Sequence, residues 1–100
     1  MDQERKPYAG YEVTPRFKRA LKRYKNTKIE RDAISDAIRE LAAGPPFPNG
    51  LRVHPIQKAK SQGVKEASPT MAIRITFEVN DDNVLILRNV GPHDVSIENP

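Results

Sequence analysis

The sequence predicts an α+β fold: an N-terminal strand, a helix hairpin, then an antiparallel β-meander sheet packed on the helices, all in one domain over residues 1–100. Three observations predict it. Apolar residues recur at helical spacing over 17–24 and 29–41, residues 73–79 alternate between apolar and polar, and residues 84–87 form an unbroken aliphatic run.

Residues 8–13, with two tyrosines and a valine, predict the first strand. Thr14-Pro15 then opens a helix, with Thr14 as N-cap and Pro15 at the first helical position, where its missing N–H costs nothing. Phe17, Ala20, Leu21 and Tyr24 form the apolar stripe, and Arg16, Lys18, Arg19, Lys22, Arg23 and Lys25 form a cationic back. Tyr24, being on the stripe, is expected in the core. Thr27-Lys28-Ile29-Glu30 has the spacing of a capping box. It starts a second helix whose expected buried face is Ile29, Ala33, Ile34, Ala37, Ile38 and Leu41. Gly44 followed by Pro45 and Pro46 stops that helix, and the short connection makes an antiparallel hairpin.

Residues 51–56 alternate, but Pro55 confines them to a sheet edge or a strand end. Residues 57–63 are polar and predict a loop. Residues 64–68 lead, through a turn expected at Ser68-Pro69-Thr70, into the clearest strand. There Ile73, Ile75, Phe77 and Val79 make a core face, opposite Arg74, Thr76 and Glu78. Asn80-Asp81-Asp82-Asn83 is a turn cluster, and residues 84–90 read as a strand buried on both faces.

A chain of 100 residues, 37% of them hydrophobic, buries roughly two-thirds of its unfolded surface and needs no metal or disulfide to hold a core. The absence of cysteine excludes disulfides, thiolate catalysis and cysteine-based zinc sites. No apolar run approaches the roughly 18 residues of a membrane span. The opening Met1-Asp2-Gln3-Glu4-Arg5-Lys6 lacks the apolar centre of a secretory signal, so a cytoplasmic location is expected.

The net charge of +4 is a difference between regions. Residues 1–28 hold nine Lys/Arg against three Asp/Glu, and residues 51–70 hold four against one. Residues 29–50 and 71–100 are net acidic. Two basic segments on an otherwise acidic chain are how a polyanion-binding face would look, although solvated lysine-rich surfaces have the same composition.

Three residues could carry chemistry. His93, in Gly91-Pro92-His93-Asp94, follows the last strand and could move a proton near neutral pH. Arg74, in mid-strand, must either pair with Glu66 or Glu78 or present its guanidinium fork to a ligand oxyanion. Arg88 sits near a strand end and could reach the same place. There is no glycine-rich phosphate loop, nucleophile elbow or metal-ligand spacing, and no cofactor or metal is expected. Positioning, proton transfer and cationic stabilisation suffice for RNA transesterification, in which the substrate's own 2′-OH is the nucleophile.

The element order, the cationic first helix, the segment Met71-Ala72-Ile73-Arg74-Ile75-Thr76-Phe77-Glu78-Val79 and the ending 84–95 together resemble the RelE/ParE superfamily of bacterial toxins, over most of the chain from Tyr11 onward. The resemblance implies the toxin of a type II toxin–antitoxin pair. RelE-type members cut mRNA on the ribosome without metal, leaving a 2′,3′-cyclic phosphate and a 5′-hydroxyl. It implies that Arg74 contacts the scissile phosphate, with Arg88 assisting, and that His93 acts as general acid or stabilises charge. It also implies RNA contacts from Lys18, Lys22 and Lys25 on the first helix and from Arg52, His54, Lys58 and Lys60 in the central segment. The implied partners are a cognate antitoxin, the ribosome and mRNA, with no membrane. Many members carry an aromatic residue shortly after the histidine position, whereas here none follows Phe77. That departure keeps a second branch in view, in which ParE-like toxins bind DNA gyrase without nuclease chemistry, along with a form that only binds its antitoxin.

Overall fold

The computed structural model describes residues 4–56 and 63–100, the side chains at 96 and 97 excepted. The elements are β1 (Gly10–Val13), α1 (Pro15–Leu21), α2 (Lys28–Ala42), β2 (His54–Pro55), β3 (Lys65–Thr70), β4 (Ile73–Val79), β5 (Val84–Gly91) and α3 (Val95–Glu98), with single 3₁₀ turns at Lys22–Tyr24 and Asn49–Leu51. The sheet order is β1-β5-β4-β3-β2. β3, β4 and β5 form the expected antiparallel meander. β1 lies parallel beside β5, Gly10 opposite Val84 and Val13 opposite Leu87, so the sheet is mixed. A parallel pair needs a long crossover, which the helix hairpin and the rest of the meander supply.

The first helix forms as its sequence requires. The Phe17 N–H donates to Thr14 Oγ1 at 3.1 Å, and Pro15 stands at the first position. Phe17 and Tyr24 are buried, as expected for the stripe. The capping box at Thr27 does not form. The Thr27 hydroxyl instead donates backward to the Tyr24 carbonyl at 3.1 Å, which ties the 3₁₀ turn to the helix start. Ile29 is also a correction: it is 85% exposed. At 3.6 residues per turn it lies about 110° from the centre of the stripe that Ile34, Ala37 and Leu41 bury, and it stands in the first turn.

Gly44 ends α2 with φ +82°, and a Cβ there would lie 1.8 Å from the Lys6 carbonyl oxygen. Only glycine admits both the left-handed backbone and that approach. The N-terminal segment is fastened at this point, since Arg5 Nε donates to the Gly44 carbonyl at 3.0 Å and its guanidinium pairs with Glu40 at 3.3 Å.

Helices and sheet enclose a core of Phe17, Ile34, Leu41, Ile75, Phe77, Leu85 and Leu87, with Phe47 set edge-on to Phe77 at 6.2 Å. Three details differ from the sequence expectation. The turn between β3 and β4 is Met71-Ala72, and Pro69 sits inside β3 where the register shifts between Ala67 and Thr70. A residue with no N–H to donate is accommodated at such a bulge. Residues 51–56 contribute only the two-residue edge strand His54–Pro55.

The third difference matters most for the site. Thr76 pairs with Asn89 and Phe77 with Leu87, so Arg88 is an extra residue in β5. This bulge lets Leu85, Leu87 and Val90 all face the core, although their spacing is two and then three. β5 is therefore not buried equally on both sides, because Ile86 and Arg88 are only half-buried. The bulge carbonyl of Arg88 is satisfied from outside the β4 ladder, by Thr14 Oγ1 at 3.1 Å and Arg16 Nε at 3.3 Å.

Candidate functional site

The sheet face away from α2 carries the polar residues of β2 to β5. Directly paired residues point to the same side, so the pairs His54–Glu66, Glu66–Thr76, Thr76–Asn89 and Arg74–Gly91 place all of these residues on one face. Its centre is covered. Thr76 and Asn89 are buried, α3 packs over β4 and β5, and Asn89 Nδ2 donates to the Asn99 carbonyl at 2.8 Å. Two polar clusters flank that cover.

The first cluster spans β2, β3 and β4. His54 Nε2 lies 3.0 Å from Glu66 Oε1, and the same oxygen is 3.8 Å from Arg74 Nε. His54 Nδ1 faces the Arg52 carbonyl at 2.7 Å, which Arg52 can present because its backbone is left-handed, φ 50°. Both ring nitrogens thus meet acceptor-only oxygens. A neutral imidazole can donate to one of them, and the imidazolium to both. Arg74 Nη1 donates to the carbonyls of Thr70, Met71 and Ile73 at 3.2, 2.9 and 3.0 Å, holding the turn at Met71-Ala72. Its Nε is buried without a hydrogen-bond partner among the described residues. Of the two carboxylates that the spacing allowed for Arg74, the structure selects Glu66.

His93 is exposed on the turn that follows Gly91, the residue paired with Arg74. In sheet order the row therefore reads Arg74 on β4, Glu66 on β3 and His54 on β2, with His93 two residues past Gly91 on the neighbouring strand. Arg23 reaches the same strand end, with Nη1 3.9 Å from the position of a Cβ on Gly91.

The second cluster lies toward the other end of β4. Arg88 Nη1 pairs with Glu78, and Arg88 Nε and Arg16 Nη2 both donate to the Pro100 backbone oxygen, at 3.4 and 2.7 Å. An open cavity of about 440 Å³ is lined here by Thr14, Pro15, Arg16, Arg19, Glu78, Ile86 and Arg88. Burial first, then the Arg88 and Arg19 guanidiniums, lower the pKa of Arg16 from its ordinary value. The structure thus separates the two arginines expected to act together: Arg74 turns toward the β3–β4 turn and Arg88 toward Glu78.

The residues expected to bind RNA also divide. Lys18, Lys22 and Lys25 are exposed along α1 and the turn after it, beside β5. Arg52 and His54 are exposed at the β2 edge, three strand spacings away, or about 14 Å. Lys58 and Lys60 lie outside the described residues. Sequence reasoning passed over Glu66 as a site residue, and it gave no separate role to Arg16, Arg19 and Arg23. The signal for the latter was present, since positions 16, 19 and 23 share one flank of the helix while 18, 22 and 25 share the other.

A second surface is apolar. A cavity of about 340 Å³ between β1 and the helix hairpin is lined by Tyr11, Val13, Phe17, Leu21, Ile38 and Ala42 among others, and Tyr11 is 54% exposed there. Among the described residues no group of three His, Cys, Asp or Glu is placed to hold a metal ion, and no helix is long and apolar enough to cross a membrane.

The sequence matches no protein-family model and no curated protein. The fold does match solved structures. YafQ in the Escherichia coli DinJ-YafQ toxin-antitoxin complex superposes with TM-score 0.74 at 16% identity, covering 93% of this chain and 97% of that one. A metal-bound toxin from Helicobacter pylori gives 0.72 at 17% identity, over 87% and 96% of the two chains. A YoeB/ParE toxin from Agrobacterium tumefaciens gives 0.69 at 19%, over 84% and 98%. The chain has the RelE/ParE-like toxin fold.

Proposed function

We propose that this protein is the toxin of a type II toxin–antitoxin pair and that it cuts mRNA on the ribosome by transesterification. The observation that carries the reading is the row Arg74, Glu66 and His54, with the His54 imidazole held 3.0 Å from a buried carboxylate. In this mechanism one imidazole takes the 2′-OH proton. The 2′-oxygen attacks the adjacent phosphorus, the bond to the 5′-oxygen breaks, and that leaving oxygen takes a proton from water. The products are a 2′,3′-cyclic phosphate and a 5′-hydroxyl. Glu66 orients His54, His93 is the other candidate for that proton transfer, and the Arg74 guanidinium beside Glu66 adds positive charge near the phosphorane. Lys18, Lys22, Lys25 and Arg52 dock on ribosomal RNA, and the apolar groove beside β1 offers a cognate antitoxin its anchor.

The test is cleavage mapping on translating ribosomes for wild type and for His54→Ala, His93→Ala and Arg74→Lys. Codon-phased cuts in the wild type that fall by about 10²–10⁴-fold in either histidine variant support the reading. Undiminished cutting in both histidine variants refutes the site. Toxicity without any cutting by the wild type would turn the reading to the gyrase-binding branch, which the missing C-terminal aromatic favours.

A further inference from the structure

The cationic back of α1 is two surfaces rather than one. Arg16 and Arg19 line the cavity with Arg88, while Arg23 stands at Gly91, where β5 ends and the turn to His93 begins. α1 and β5 therefore run side by side in the same direction. Seven residues of helical rise, about 10 Å, carry the arginine flank from residue 16 to residue 23. Three residues of strand, again about 10 Å, carry β5 from the bulge to its end. Four guanidiniums are set along this line, and among the described residues Glu78 is the one carboxylate in an ion pair with them. Among the described residues no hydrogen bond or ion pair engages the Arg19 side chain. Arg16 and Arg88 already converge on an acceptor, the Pro100 oxygen, in the way that two forks would share a phosphate oxygen.

We infer that Arg16, Arg19, Arg23 and Arg88 form a track for the phosphodiester backbone of single-stranded RNA, leading along β5 to the turn that holds His93. The inference rests on the RNA-cleaving reading above and deepens it by naming the path on which the substrate strand is held. Arginine suits the role better than lysine, because its planar fork meets two phosphate oxygens at once. The Pro100 oxygen occupies one position on the track, so RNA and the end of the C-terminal segment compete for Arg16 and Arg88.

The experiment measures binding of a fluorescein-labelled single-stranded RNA dodecamer over a series of salt concentrations. Arg19→Ala/Arg23→Ala is compared with Lys28→Ala/Arg39→Ala, an equal charge change on α2. The expected result is a loss of affinity of about tenfold or more for the first variant, with the slope of log affinity against log salt shallower by roughly 1.4, and less than a twofold loss for the second. Arg19→Lys/Arg23→Lys keeps the charge, so it should keep the slope yet bind several-fold more weakly than wild type. Equal losses in the two alanine variants, wild-type binding by the lysine variant, or no binding by the wild type at low salt would each overturn the track. The two readings fail separately. Cutting that depends on His54 or His93 alongside undiminished RNA binding by Arg19→Ala/Arg23→Ala removes the track and leaves the nuclease. Arginine-dependent binding without cutting by any form removes the nuclease and leaves the track.

Discussion

Arg74 and Arg88 stand on the same sheet face of adjacent strands, yet their surroundings differ in kind. The Arg74 side chain is 13% exposed, spends its donors on three turn carbonyls and lies beside a carboxylate that is itself 9% exposed. The Arg88 side chain is 34% exposed, rises from a bulge and shares an open cavity with two further arginines. One arginine is fixed in place by backbone carbonyls, and the other borders an open cavity with part of its fork exposed. Residue type and sheet position do not decide between structure and binding; the number and burial of existing partners do.

The largest expected effect tests the structural half of this contrast. Arg74→Ala leaves three carbonyls without their donor and the buried Glu66 without its nearest guanidinium, so a loss of about 2–4 kcal/mol is expected in urea unfolding. Arg88→Ala should cost about 1 kcal/mol or less, because its pair with Glu78 is a third exposed. Equal losses would erase the distinction.

A sharper variant removes residue 88 altogether. Without the bulge, Leu87 still pairs with Phe77 and Asn89 with Thr76, so the core register survives. The expected cost is about 1–2 kcal/mol from the donors of Thr14 and Arg16 that lose the bulge carbonyl. Loss of cooperative unfolding would show instead that the bulge is required for the sheet itself. Next in size is Thr14→Ala, at about 1 kcal/mol, through the lost cap at the arginine-rich end.

The smallest effect is a control remote from both clusters. The Lys28 hydrogen bond at 2.7 Å holds the Asp32 carboxyl below the ordinary carboxylate range. A lowered folded value means that this contribution is present above the unfolded value and is lost as pH falls through the folded one. Lys28→Ala should return Asp32 toward the ordinary value in an NMR titration, with no change in RNA cleavage.

Local signals carried much of this outcome. Thr14-Pro15 placed the start of α1, and Gly44-Pro45-Pro46 placed the end of α2. The alternation of residues 73–79 placed β4, because each of these depends on neighbours within a turn or a pleat. Arg74 and His93 were legible as residues of interest by their types and positions at strand middle and strand end. Local rules misled where a residue had two possible partners: Thr27 could cap forward or donate backward, and Pro69 could turn the chain or sit in a bulge.

What the sequence determined by itself was the order of elements, the apolar stripe of each helix apart from Ile29, and the concentration of positive charge in two segments. Tertiary structure alone decided that Arg88 is the extra residue of β5, that Glu66 joins His54 to Arg74, and that the arginines and lysines of α1 take different flanks relative to the sheet. Each of these depends on contacts between residues distant in the chain. The bulge exists because Leu87 and Val90 must both reach the core. The Glu66 contacts exist because three strands bring residues 54, 66 and 74 onto one face, which no local spacing reports.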